Sequence, residues 1–413
     1  MVLGAVLEPL IVVTLLFGGA WVNRCRDEEA RAGEKSCDYV VVDDEVADEQ
    51  GLRRRSGSST WSGCSGETLA ALSRWRLRRV GVCGWETVLS TPNTAVFRDR
   101  LLSRLLRRFP FLVEAWYWAL IYWVYQLGRA LTALTLVQGT VEVARKHALQ
   151  VIHVEQQLGI FIEPAIQQYF LSRPLLLHWI NRVYSFIHIP GTIFFLVCLF
   201  YLTTTRRRTH DGTAGPALYQ ARRRTMAMCN LVAFVVFTLW PCMPPRLLSD
   251  PDYRGQDAAE AKSFGFVDTV HGKGGESSVW TTNRFCNQYA AMPSLHFGYS
   301  LLIGLTIATL PIRGLRWTSW KRMAIVVLGL SYPTLILTAI VATANHFLLD
   351  AVAGAVVCAV AWRANGLLLN LCPLEDYFLW LLRIHKPVPG CDDGGDLLAG
   401  EADRRRLLKH EEA

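Results

Sequence analysis

Apolar runs of about 20 residues, separated by blocks of arginine, constrain this chain more than any other feature, because about 20 helical residues cross a hydrocarbon core of about 30 Å. Only a helix or a closed barrel satisfies its own backbone polar groups there. Hydrophobic residues make up 51% of the 413, yet the two ends are strongly charged, the pattern of a polytopic membrane core with polar ends. The expected fold class is all-α: a six-helix transmembrane core plus an N-terminal anchor helix. The net charge of +8 comes mostly from arginines lying between apolar runs, where anionic cytoplasmic lipid suits them better than nucleic acid. Eleven cysteines are scattered without a CxxC pair or metal-ligand spacing, so neither a zinc site nor a disulfide-built fold is indicated.

Residues 1–22 are apolar apart from Glu8 and long enough to span. A signal peptide is the alternative, but no basic segment precedes the run, and Arg24 and Arg26 follow it as they follow a stop-transfer anchor. Residues 23–108 carry Arg53-Arg54-Arg55 and a Ser/Gly run without sustained apolar period, which reads as a disordered basic cytoplasmic segment with at most a short amphipathic helix. Residues 109–371 form the membrane domain, with spans expected at 109–127, 183–203, 226–243, 296–312, 323–344 and 347–369. Between the first two, residues 138–177 are amphipathic, and Arg145, Lys146, His147, His153, Glu155 and Glu163 read as solvated faces of surface helices. Residues 372–413, with Arg404-Arg405-Arg406, form a mostly disordered cytoplasmic tail.

The arginine blocks also orient the chain. Arg206-Arg207-Arg208 and Arg222-Arg223-Arg224 flank one connection, which is therefore cytoplasmic, and Arg246 falls at the far end of the next span. Arg313, Arg316, Lys321 and Arg322 mark a second cytoplasmic turn. Arg246, His296, His346 and Asp350 then share the extracytoplasmic face, a placement that uses no motif. Cys242 and Cys286 bracket the long loop on that face, either as a disulfide or as two unpaired thiols.

These four residues have a chemistry in common. A histidine at a helix N-terminus stands where unpaired N–H groups and the helix dipole attract an anion, phosphate above all, and Pro293 leaves Ser294 and Leu295 able to turn their N–H groups toward it. The guanidinium of Arg246 offers a planar fork to two phosphate oxygens. His346 and Asp350 are four apart, so the carboxylate can hold one ring proton and aim the other nitrogen at phosphorus. His296 would act as acid and then base. Two helix ends, Arg246 and an imidazolium supply the positive field without a metal or other cofactor.

Pro293-Ser294-Leu295-His296, followed by His346-Phe347-Leu348-Leu349-Asp350, resembles the second and third signatures of the type 2 phosphatidic acid phosphatase superfamily. Leu295, and Asn345-His346 with Asp350-Ala351-Val352-Ala353-Gly354, are similar to the branch of fungal inositolphosphotransferases that includes inositol phosphorylceramide synthase. The resemblance implies transfer through a phosphohistidine, with His346 as nucleophile, His296 as acid and base and Asp350 as orienter. Arg246, Ser294 and Asn345 would bind substrate. Its implied partners are membrane lipids, a phosphoinositide, ceramide or other phospholipid, at the luminal face of a Golgi or ER membrane. Leu239 and Leu247 stand where the first signature has Lys and Pro, so fixed positive charge is lower here.

Overall fold

The computed structural model describes residues 2–25, 74–82, 84–135, 139–205, 215–270, 288–312, 315–316 and 318–387. It is mostly helical and divides into two compact units, Met1–Val22 with Glu114–Leu368, and Asn23–Val113 with Leu369–Ala413.

The first unit holds α1 (Val2–Val22), most of α3 (Phe111–Thr135), α4 (Thr140–Gln157), α5 (Glu163–Leu171), α6 (Pro174–Thr205), α7 (Pro216–Leu239), α8 (Leu295–Thr309), α9 (Trp320–Ala342) and α10 (Leu348–Ala364). Three helices among the described residues are long and apolar enough to cross a membrane: Pro174–Thr205, Trp320–Ala342 and Leu348–Leu382. Leu7–Val22 and Leu295–Thr309 are apolar but shorter.

Helix α8 lies between α9 and α10, and glycine sets both crossings. A Cβ on Gly304 would stand 2.5 Å from the Gly329 carbonyl oxygen, and one on Gly329 would stand 2.7 Å from that of Gly304. Nearer the site, a Cβ on Gly298 would meet Gly354 O at 3.1 Å, and one on Gly354 would overlap the Ser294 carbonyl. Small residues let helices in lipid gain dispersion contacts that larger side chains would prevent. At the other end of α8, Arg322 donates to Leu310 O at 2.7 Å and Ala308 O at 2.5 Å, placing a cation on the last carbonyls of the helix.

That buried arginine differs from the lipid-facing cation expected. So do Arg222, stacked 3.4 Å from the Trp362 ring, Arg223, paired with Glu114 at 2.6 Å, and Arg224, bonded to Asn365 at 3.3 Å. A charge near a bilayer is costly unless partnered, and here the partners are in the protein. The reading of α4 and α5 as helices with solvated charges is also corrected: Arg145, Glu155 and Glu163 are buried. Arg145 donates to Leu248 O at 3.1 Å and covers the Tyr253 ring at 3.6 Å. These helices pack on the segments that carry the candidate site, through a core of Ala148, Ile152, Met243, Leu248, Phe266 and Phe347.

In the second unit, an antiparallel hairpin, β1 (Trp75–Val82) and β2 (Trp85–Pro92), occupies part of the segment expected to lack structure, so the fold is not wholly α. Gly84, with φ +87°, supplies the turn conformation that other residues resist. The unit continues with α2 (Leu101–Arg108) and α11 (Cys372–Leu382), and the latter lies in the tail expected to be mostly disordered. Asp376 of α11 accepts from Arg78 Nε at 2.8 Å, Arg78 Nη2 at 3.0 Å and Thr91 Oγ1 at 2.8 Å, which ties the helix to both strands. Cys242 is a buried free thiol, and Cys286 lies outside the described residues, as do the arginine triplets at 53–55, 206–208 and 404–406.

Candidate functional site

The site is built where α9 ends, α8 and α10 begin, and the segment after α7 returns. Helix α9 closes with Ala344 N–H donating to Val341 O at 3.0 Å and Asn345 N–H to Ile340 O at 3.0 Å, a Schellman ending around a residue in the left-handed region. That residue is Ala344, with φ +50°, where glycine is the usual occupant. The sharp reversal brings Asn345 and His346 off the helix axis. His346 therefore precedes α10, whose first helical residue is Leu348, whereas the sequence suggested that His346 and Asp350 share a helix face.

His346 Nδ1 lies 2.7 Å from the carbonyl oxygen of Ala291. A carbonyl only accepts, so Nδ1 carries the proton and Nε2 keeps its lone pair. The expected orienter stands farther off: Asp350 Oδ2 is 3.6 Å from Nδ1 and instead accepts the Phe347 N–H at 2.8 Å. Ala291 O is itself held in place, since Ala291 N–H donates to Cys242 O at 3.0 Å and Cys242 N–H to Tyr289 O at 2.8 Å. Asp350 is fully buried and contributes charge near the ring rather than the tautomer-fixing bond.

Ser294 caps α8, its Oγ accepting the Phe297 N–H at 3.4 Å, while its own N–H donates to Asp350 O at 2.9 Å. Ser294 thus joins α8 to α10 and does not turn its N–H to a ligand. Pro293 lies before the helix, after a cis peptide bond. Among the described residues, the N–H groups of Leu295 and His296 have no hydrogen-bond partner, leaving one helix N-terminus able to receive an anion.

The His296 ring centroid is 5.8 Å from that of His346, inside the limit of about 10 Å within which one phosphoester can engage both. Two residues that the sequence did not single out frame His296. Tyr184 stacks on it at 4.7 Å, and His188 lies 5.0 Å away with its Nδ1 bonded to Tyr332 Oη at 3.0 Å. Tyr184 belongs to a π-helical turn, Val183–Ile187, inside α6. Such turns recur at functional sites because they re-aim neighbouring side chains.

Arg246 Nε donates to Asn345 Oδ1 at 2.9 Å and Nη1 to Asp268 Oδ2 at 2.9 Å, and its backbone N–H donates to Ala344 O at 2.9 Å. Among the described residues Nη2 has no partner. Asn345 Nδ2 donates to Thr343 Oγ1 at 2.7 Å, so its oxygen is left to face the guanidinium. The Asp268 loop is pinned from α5, where the Gln167 amide exchanges two bonds with the Val267 backbone at 2.8 and 3.0 Å. The structure therefore links Arg246 to the His346 segment through Asn345, and joins His296, Ser294 and Asp350 across the junction of α8 and α10.

A family model described as the PAP2 superfamily matches residues 149–364, just over half of the chain, and this range contains every residue named in the site. No curated protein and no solved structure matches the chain.

Proposed function

The chain belongs to the PAP2 superfamily, and from that premise we propose that it transfers a phosphoryl-linked group from a membrane lipid through a phosphohistidine on His346. The observation that carries the reading is the His346 Nδ1–H bond to Ala291 O at 2.7 Å, which leaves Nε2 as the nucleophilic nitrogen beside His296. Nε2 forms the P–N bond as the phosphorus–oxygen bond to the leaving lipid alcohol breaks, and protonated His296 gives its proton to that alkoxide. Neutral His296 then takes a proton from the acceptor hydroxyl, which attacks phosphorus and releases His346. Arg246 Nη2 and the free N–H groups of α8 are the donors for the phosphoryl oxygens.

The finer reading is an inositolphosphotransferase of sphingolipid metabolism, with a phosphoinositide donor, diacylglycerol as leaving alcohol and ceramide as acceptor. Leu295 within Pro293-Ser294-Leu295-His296 supports that branch. We read the membrane core as six helices, α3 and α6 to α10, a reading supported by the three among them that are long and apolar enough to cross, and the arginine blocks support a luminal site in Golgi or ER membrane. The test is incubation with phosphatidylinositol labelled in its phosphate: label trapped on His346, absent from His346→Ala, with labelled inositol lipid formed when ceramide is added. Label released to water as a phosphorylated headgroup would make the protein a hydrolase. A folded protein that neither traps label nor turns over would be a non-catalytic lipid-binding member of the family.

A further inference from the structure

The N-terminus of α10 is already full of negative charge. Its first three backbone N–H donors go to three carboxylates: Phe347 to Asp350 Oδ2 at 2.8 Å, Leu348 to Glu163 Oε1 at 2.9 Å and Leu349 to Glu155 Oε1 at 2.7 Å. Phosphate therefore has no slot at this helix end, unlike that of α8. Glu155 closes α4 and Glu163 opens α5, so two elements reach across to hold the helix that follows His346.

Both glutamates are fully buried, and in each the second oxygen, Oε2, has no hydrogen-bond donor. Two adjacent buried carboxylates, with Asp350 as a third, cannot all ionise without strong repulsion that no water screens. One proton held between the two side chains would remove the repulsion and give the orphan acceptors a donor.

We propose that Glu155 and Glu163 share a single proton and act as a positioning pair that holds α10, and with it His346, against Ala291. Its catalytic consequence rests on the function proposed above; the shared proton does not. Burial, followed by the charges of Glu163 and Asp350, pushes the Glu155 carboxyl up to about 9 despite the bond from Leu349. The titratable groups facing Glu155 are Glu163 on α5, Asp350 on α10 and the Cys242 thiol after α7. Between the ordinary carboxyl range and about 9 the folded chain keeps a proton that the unfolded chain has lost, so stability falls as pH rises across that window.

The experiment uses the full chain in lipid nanodiscs. Thermal unfolding is read from pH 6 to about 10, with turnover of labelled phosphatidylinositol measured in parallel. Glu155→Gln keeps an oxygen for Leu349 and puts a permanent N–H donor where the shared proton was. The expected result is that the alkaline loss of stability and turnover moves up by about a pH unit or more in E155Q and in E163Q. In the double variant two donors face each other, so E155Q/E163Q should unfold at lower temperature than either single variant. If the pair merely repelled, the double variant would be the most stable of the three, and that result would overturn the proposal, as would an E155Q profile superimposable on that of the unsubstituted chain. If the unfolding pattern holds while no form turns over substrate, the pair stands and the catalytic reading fails.

Discussion

Because Ala291 O takes the His346 Nδ1 proton while Asp350 Oδ2 stands 3.6 Å from the same nitrogen, tautomer and charge are governed by different groups, and substitutions can separate them. Asp350→Asn keeps an oxygen for the Phe347 N–H but removes the charge that, in the proposed mechanism, would stabilise a cationic phosphohistidine, so the unfolding midpoint should change little while turnover drops about 10- to 100-fold. Asp350→Ala also removes the cap and should destabilise by about 1–2 kcal/mol. Wild-type turnover in Asp350→Asn would exclude the charge from the chemical step. Arg246→Lys replaces a fork that reaches both Asn345 and Asp268 with a single ammonium, and kcat/KM should fall about tenfold or more. That His296, His346, Asp350 and Arg246 lie in one neighbourhood was legible because ionisable groups at the mouths of apolar runs need a reason. Ala291 was not, since it acts through its backbone. Glu155 and Glu163 were misread because an amphipathic pattern assigns charge to solvent unless another element's open end is known to dock there.

Among the helices, the crossing of α8 and α10 is the least forgiving contact. Gly354→Ala would drive a methyl into the Ser294 carbonyl, a backbone atom that cannot rotate away, and should destabilise by about 2 kcal/mol or more. Gly366→Ala, where a Cβ would meet nothing within 4 Å, is the matched control and should be near neutral. Equal unfolding midpoints for the two would remove the close approach. Apolar length made most of these helices readable, but not their ends. Ala344 turns α9 into the left-handed region without the glycine that would have announced it, so the end of the helix ahead of His346 was placed at 344 rather than at Ala342. The hairpin was hidden for a compositional reason: its strands sit in a long polar segment, and Arg76 and Arg78 alternate with Trp75 and Leu77 in the sense opposite to a buried apolar face.

At the scale of the whole molecule, the chain is two compact units, each stabilised by its own buried polar contacts. Asp376→Ala removes the acceptor for two Arg78 donors and Thr91, and leaves a partly buried guanidinium unpaired, so residues 75–92 should become susceptible to limited proteolysis. Orientation is tested separately. A glycosylation acceptor inserted between residues 271 and 285 should be modified in microsomes if that loop is luminal, and an unmodified acceptor would reverse the topology read from the arginines. The glycine crossing beside the site also acts as a gauge. With no side chain between Gly298 and Gly354, the two backbones set how closely α8 can approach α10, as a mechanical stop sets a least clearance beside the His296 and His346 rings. A Cβ at either glycine would force the starts of the two helices apart, so the spacing of the two imidazoles depends on atoms that this pair of residues lacks.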